Sequence, residues 1–167
     1  TTWAMIVADC TGIPMDHVDV VQGDTDLVER GALTVGSRSV QLGGSAIAKS
    51  TAQLIDVVRE HAAQLLEAAA DDVVLDDERG TFHVRGTPAV AVSWGDVAAG
   101  LAEPVLEFYD FKAEMPTFPS GCHIAVVEVD SETGATELVR IVAVDDAGRI
   151  MNPLLAEGQI HGGMAQG

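Results

Sequence analysis

The stretch His123-Ile124-Ala125-Val126-Val127-Glu128-Val129-Asp130 runs into Ser131-Glu132-Thr133-Gly134. Thr136-Glu137-Leu138-Val139-Arg140-Ile141-Val142-Ala143-Val144 then returns. Two runs rich in β-branched residues around a short polar segment predict a β-hairpin, and Gly134 supplies the positive φ that its turn needs. Elsewhere strands and helices interleave without a βαβ period, so the expected fold class is α+β.

Downstream of the hairpin, Asp145-Asp146-Ala147-Gly148-Arg149 ends the second strand, and Asn152-Pro153 opens a final helix. That helix carries Gly158-Gln159-Ile160-His161-Gly162-Gly163-Met164-Ala165-Gln166-Gly167. Gln159 and Gln166 are two turns apart and share one face. Each glycine in a helix costs roughly 1 kcal/mol, so the glycines imply close approach by another chain segment or a ligand. A glutamine amide donates and accepts without charge, which suits a large polar ligand better than a proton-transfer site. The plainer reading is a pair of exposed polar residues on a terminal helix.

Upstream, Trp3, Ile6, Val7 and Cys10 fall at helical spacing, and Thr11-Gly12-Ile13-Pro14 is a helix stop. Residues 1–11 read as the end of a helix that begins before them. Val18 to Val21 predict a short strand and Gly23-Asp24-Thr25-Asp26 a loop. Residues 30–45, Arg30-Gly31-Ala32-Leu33-Thr34-Val35-Gly36-Ser37-Arg38-Ser39-Val40-Gln41-Leu42-Gly43-Gly44-Ser45, are rich in glycine and hydroxyls. A long helix comes next, from residue 46 to about residue 70, with Ile47, Leu54, Val57, Val58, Leu65 and Leu66 on one face. Val73 to Leu75 and Thr81 to Val84 predict a second hairpin around Asp76-Asp77-Glu78-Arg79-Gly80. After it come a short strand over 89–92 and a helix capped by Ser93. Residues 103–115 read as a strand with an irregular link, and Pro116 and Pro119 break the chain before the long hairpin.

The 167 residues carry 26 acidic against 9 basic side chains, a net charge of −17. Such a surface repels a phosphate backbone and anionic lipid, so neither nucleic acid nor membrane is expected as a partner. No apolar run reaches the ~20 residues of a membrane span, and the N-terminal residues do not read as a signal peptide. Cys10 and Cys122 read as free thiols of a cytoplasmic protein.

Among candidate sites, residues 34–45 precede the long helix. Backbone N–H groups at a helix start have no intrahelical partner and favour anions. A ligand cradle with the Ser37 and Ser39 hydroxyls and Arg38 as counter-ion is weighed against a surface loop that caps a helix. No P-loop or Rossmann fingerprint is present. His17, His61, His83, His123 and His161 lack zinc-ligand spacing. Asp145 and Asp146 point to opposite sides if the strand continues through them, so one capping the turn or the helix near Asn152 outweighs an acid–base pair. The acidic run at 71–78 reads as a solvated face and turn, without calcium-loop spacing.

Several segments occur together in one order: Gly23-Asp24-Thr25-Asp26, Gly36-Ser37-Arg38-Ser39, Val127-Glu128-Val129-Asp130 with Thr133-Gly134, Asp146-x-Gly148, Asn152-Pro153 and Gly158-Gln159-x-x-Gly162-Gly163-x-x-Gln166-Gly167. Their order resembles the molybdopterin-binding large subunit of the xanthine dehydrogenase, aldehyde oxidase and carbon monoxide dehydrogenase family, nearer its bacterial branch with separate subunits. The resemblance implies a molybdenum hydroxylase. Its cofactor would be molybdopterin, in the cytosine dinucleotide form, with molybdenum. Iron–sulfur clusters and FAD would lie on partner subunits of a hetero-oligomer. The substrate would be a small molecule, and a glutamate would act as base. It further implies that Gly36, Ser37, Arg38 and Ser39 wrap the cofactor near the metal. Gln159 would hydrogen-bond the cofactor and Gln166 would be its companion.

Family subunits are several times longer, and the segments expected to carry the substrate-binding residues and the base glutamate do not appear here. The expectation is a fragment, residues 1–167 forming part of one molybdopterin-binding domain, with no catalytic residue or metal ligand of its own and no activity alone. Glu29 departs from a proline expected there. The rival classes are a structural or interaction domain that keeps the fold without cofactor, and an unrelated phosphate-binding module.

Overall fold

The computed structural model describes residues 1–28, 31 and 33–167; Glu29, Arg30 and Ala32, and with them the expectation at Glu29, lie outside the described residues. The chain divides into two compact units, Thr1–Ala113 and Glu114–Gly167.

The first unit opens with helix α1 (Thr2–Thr11), which ends in left-handed Gly12 at φ 69°. A π-helical turn (Val40–Gly44) leads into helix α2 (Ser45–Leu65). Strands β1 (Val73–Asp76), β2 (Thr81–Val84) and β3 (Ala91–Ser93) form an antiparallel sheet with β2 central. Helix α3 (Trp94–Ala99) closes the unit.

The core is one cluster of Val58, Ala62, Ala63, Val73, Phe82 and Val97. Phe82 sits in the central strand β2, is 0 % exposed, and meets Trp94 edge-to-face with ring centroids 4.9 Å apart. The indole N–H of Trp94 donates to the Thr11 carbonyl at 2.9 Å, tying α3 to the end of α1. Ser93 and Asp96 form a complete capping box, as the sequence suggests for Ser93. The Ser93 hydroxyl accepts from the Asp96 amide at 3.1 Å, and the Asp96 carboxylate accepts from the Ser93 amide at 2.8 Å.

Three expectations for this unit are corrected. First, α2 stops at Leu65 rather than near residue 70. Residues 64–70 are strong helix formers, but Glu67 takes φ 50° while the Ala68 and Glu67 amides bond back to the Ala63 and Gln64 carbonyls. That Schellman closure turns Leu66, Ala68 and Ala70 onto the core; burial overrides propensity. Leu65, expected inside, is 49 % exposed. Second, residues 18–21 form no strand: the segment has no ladder partner among the described residues. Third, residues 103–115 form none for the same reason. Apolar alternation marks a chain that could pair, and pairing needs a neighbour.

The second unit is the hairpin of β4 (Ser120–Val129) and β5 (Thr136–Asp146), then helix α4 (Pro153–Gln166). The ladder shifts register between Val126 and Val127. Gly134 adopts φ 74° in the turn, as expected. The Asp130 carboxylate accepts from the Thr133 and Glu132 amides, which holds its pKa below the usual carboxylate value. Asn152 caps α4 through its side-chain oxygen, with Pro153 in the first turn. The helices and small antiparallel sheets make the class α+β.

Candidate functional site

The first candidate lies just before α2. Gly36 and Ser37 are consecutive left-handed residues, at φ 61° and 51°. Such a conformation costs a non-glycine residue about 1–2 kcal/mol. The Arg38 amide closes the turn on the Val35 carbonyl at 3.5 Å, and the Arg38 carbonyl accepts from the Leu42 amide at 3.0 Å. Thr34, Val35, Gly36, Ser37 and Arg38 are exposed, and Ser39 is half-buried. The Ser39 hydroxyl lies 3.5 Å from that of Thr34. A Cβ built on Gly36 would meet nothing within 4 Å, so the turn is open to a ligand.

Helix-start N–H groups and the helix dipole favour an anion here. From Gly31 to Ile55 the only charged side chains are Arg38 and Lys49, both cationic, in a chain of net charge −17. Hydroxyls, backbone amides and one guanidinium on an open turn fit a polar ligand with an anionic part.

The glycines at the end of this stretch do something else. A Cβ on Gly43 would lie 3.3 Å from the Trp3 ring, and one on Gly44 3.2 Å from Ile6 Cδ1. These two glycines seat α1 against the π-helical turn. The open turn is therefore shorter than the 34–45 stretch singled out by composition.

The second candidate lies on α4, where Gln159, Gly162, Gly163 and Gln166 fall within an arc of about 100° at 100° per residue. Both glutamines are exposed. A Cβ on Gly158, Gly162 or Gly163 would meet nothing within 4 Å. Two amides thus flank a bare strip of backbone. His161 projects about 200° away from Gln159, on the opposite side. The two candidate groups belong to different units.

β5 runs through Asp145 and Asp146, so they alternate faces. Both Asp145 carboxylate oxygens lie 3.0 Å from His123 Nε2 across the hairpin. Asp146 accepts from the Gly148 amide at 2.9 Å and caps the turn, as weighed from the sequence. Sequence reasoning missed the pairing of His123 with Asp145 because it depends on the strand register, in which His123 opposes Ala143 and Gly121 opposes Asp145.

Among the described residues no group of three or more His, Cys, Asp or Glu side chains is placed to hold a metal ion. Cys10 and Cys122 are free; burial, then Asp9 and Asp77, push the Cys10 thiol up. Two open clefts of about 410 and 430 Å³ lie beside β1 and between α2 and α3, and neither is lined by the candidate residues. No described helix is long and apolar enough to cross a membrane.

The whole chain, residues 1–167, matches the family model of the molybdopterin cofactor-binding domain. It is 39% identical to the carbon monoxide dehydrogenase large chain of Hydrogenophaga pseudoflava, covering 100% of this chain and 22% of that one. It is 34% identical to the nicotine 6-hydroxylase large subunit of Paenarthrobacter nicotinovorans, again over 100% and 22%. Among solved structures, reconstituted CO dehydrogenase from Oligotropha carboxidovorans superposes with a TM-score of 0.84 at 33% identity, over 98% of this chain and 21% of that one. The chain thus spans about a fifth of the length of these relatives. An open cationic turn at a helix start, a glutamine-lined helix and a match along the whole chain agree: the chain belongs to the molybdopterin cofactor-binding domain family of the molybdenum hydroxylase large subunits.

Proposed function

We propose that this chain forms part of the molybdopterin pocket of a larger molybdenum hydroxylase subunit. The observation that carries the reading is the open turn at residues 36–39. Two left-handed residues there shape an exposed turn beside Arg38, in a stretch without acidic side chains. Arg38 and the N–H groups of this turn would hold anionic and polar edges of the cofactor, with the Ser37 and Ser39 hydroxyls adding neutral contacts. On α4, Gln159 and Gln166 would supply uncharged donors and acceptors, and Gly162 and Gly163 would let a ligand edge approach the backbone.

A bound molybdenum cofactor would supply the redox chemistry of a hydroxylation of a small-molecule substrate. The chain's residues bind and orient; no residue of it is assigned as catalytic base or metal ligand. Within the same proposal the cofactor is the cytosine dinucleotide form. Iron–sulfur and FAD-binding subunits are the partners in a cytoplasmic hetero-oligomer, residues 1–167 are one part of the subunit's cofactor-binding domain, and the isolated chain is inactive.

The test is made in the full-length subunit. Gln159→Ala and Arg38→Ala should lower molybdenum and released pterin per subunit while the unfolding midpoint stays near the wild-type value. Unchanged cofactor content in both variants refutes the site. A folded wild-type subunit devoid of pterin supports the rival reading, a structural domain that keeps the fold without cofactor. Substrate-dependent electron transfer by the isolated chain refutes the claim of inactivity.

A further inference from the structure

Glycines before α2 are of two kinds. Gly36 faces open space, whereas Gly43 and Gly44 face α1. A Cβ on Gly43 would lie 3.3 and 3.5 Å from Cη2 and Cζ2 of Trp3, and one on Gly44 3.7 Å from its Cζ3. The six-membered end of the indole therefore rests on bare backbone of the π-helical turn (Val40–Gly44), which begins right after Ser39. A π-helical turn is rare and appears mostly as a single turn within α-helical chain, so it persists where neighbours hold it. Side chains at Gly43 and Gly44 would push the ring away, and without the ring the turn loses that neighbour.

The other end of α1 is fixed. Thr11 is fully buried and its carbonyl accepts from the Trp94 indole at 2.9 Å, and Gly12 lies against the backbone of Gly80. A continuous path of packing thus runs from the core through α1 and Trp3 to the π-helical turn that adjoins Ser39.

We propose that Trp3 is a positioning residue for the cofactor turn: by clamping the π-helical turn through Gly43 and Gly44, it fixes the direction in which residues 36–39 present their amides and hydroxyls. This rests on reading those residues as cofactor contacts. Trp3 reaches the open turn through the glycine pair.

The experiment uses the full-length subunit in its complex, with Trp3→Ala, Trp3→Phe, Gly43→Ala and the double variant Trp3→Phe with Gly43→Ala. It reads amide hydrogen exchange at residues 36–42, exchange across Val58, Val73 and Phe82, and molybdenum with released pterin per subunit. Trp3→Ala should speed exchange at 36–42, leave the core cluster protected, and weaken cofactor retention about tenfold, the size seen when a supporting residue behind a ligand contact is removed. Trp3→Phe removes the ring atoms that touch Gly43, so it should give a smaller effect in the same direction. Gly43→Ala alone crowds the ring and should also speed exchange at 36–42. Combined with Trp3→Phe it should restore protection, because the new methyl occupies the vacated space. Wild-type exchange at 36–42 with full pterin in Trp3→Ala overturns the proposal. So does faster exchange throughout the first unit, which marks a general packing role. A wild-type complex without pterin sinks the cofactor reading instead, and exchange at 36–42 then decides by itself whether Trp3 orders the turn.

Discussion

Replacing Gly12 by alanine should be among the most damaging single-methyl changes in the first unit. Gly12 ends α1 at φ 69°, and a Cβ there would sit 2.4 Å from the Asp77 carbonyl oxygen, 2.5 Å from the Gly80 nitrogen and 2.7 Å from the Gly80 Cα. All three are backbone atoms, so no side chain can swing away. The left-handed conformation costs an alanine about 1–2 kcal/mol. Parting α1 from the turn between β1 and β2 adds an overpacking penalty of about 1–3 kcal/mol. If the Trp94 to Thr11 hydrogen bond stretches as well, about 1 kcal/mol more is lost. A total of about 3–6 kcal/mol is a large part of the ~5–15 kcal/mol that holds a typical domain together. Gly86 is the matched control: its φ is 85°, yet a Cβ there meets nothing within 4 Å. Gly86→Ala should therefore show the conformational cost alone. Urea unfolding followed by tryptophan fluorescence reads this unit directly, since the chain's two tryptophans, Trp3 and Trp94, both lie in it. Equal destabilisation by Gly12→Ala and Gly86→Ala would refute the overlap argument and leave only the backbone term.

Glu67 holds the left-handed position after α2 at φ 50°, a place that suits glycine; Glu67→Gly should stabilise by roughly 1 kcal/mol, read as a higher urea midpoint at unchanged slope, and a lower midpoint refutes it. Hydrogen bonds from the Ser93 side chain and backbone hold the Asp96 carboxyl below its ordinary value. A depressed carboxylate pKa stabilises above the unfolded-state pKa, and the contribution fades as pH falls through the folded-state value. Asp96→Asn should therefore flatten the loss of stability below about pH 4, and acid unfolding curves of identical shape in both proteins would count against the capping box.

Local turn chemistry accounts for most of what was legible. Gly134, the Ser93 cap and the Asn152-Pro153 helix start act within a few residues, so their physics is written in neighbouring side chains. Expectations failed where a partner far along the chain decides. Residues 18–21 and 103–115 have strand-like composition but no ladder partner among the described residues. The last turn predicted for α2 was lost because Leu66, Ala68 and Ala70 gain more by packing on the core than by continuing the helix. His123 and Asp145 stood as separate residues until the register of β4 and β5 brought them together.

The candidate site divides along the same line. Sequence alone determined which residues are available: a glycine- and hydroxyl-rich turn with one arginine before a long helix, and two glutamines a double turn apart among glycines. It also determined the family, because the order of those motifs along the chain is itself sequence. Only tertiary structure decided that Gly36 opens to solvent while Gly43 and Gly44 carry the Trp3 ring. A glycine reads the same in either setting, and the atoms that distinguish the two belong to a helix some forty residues earlier.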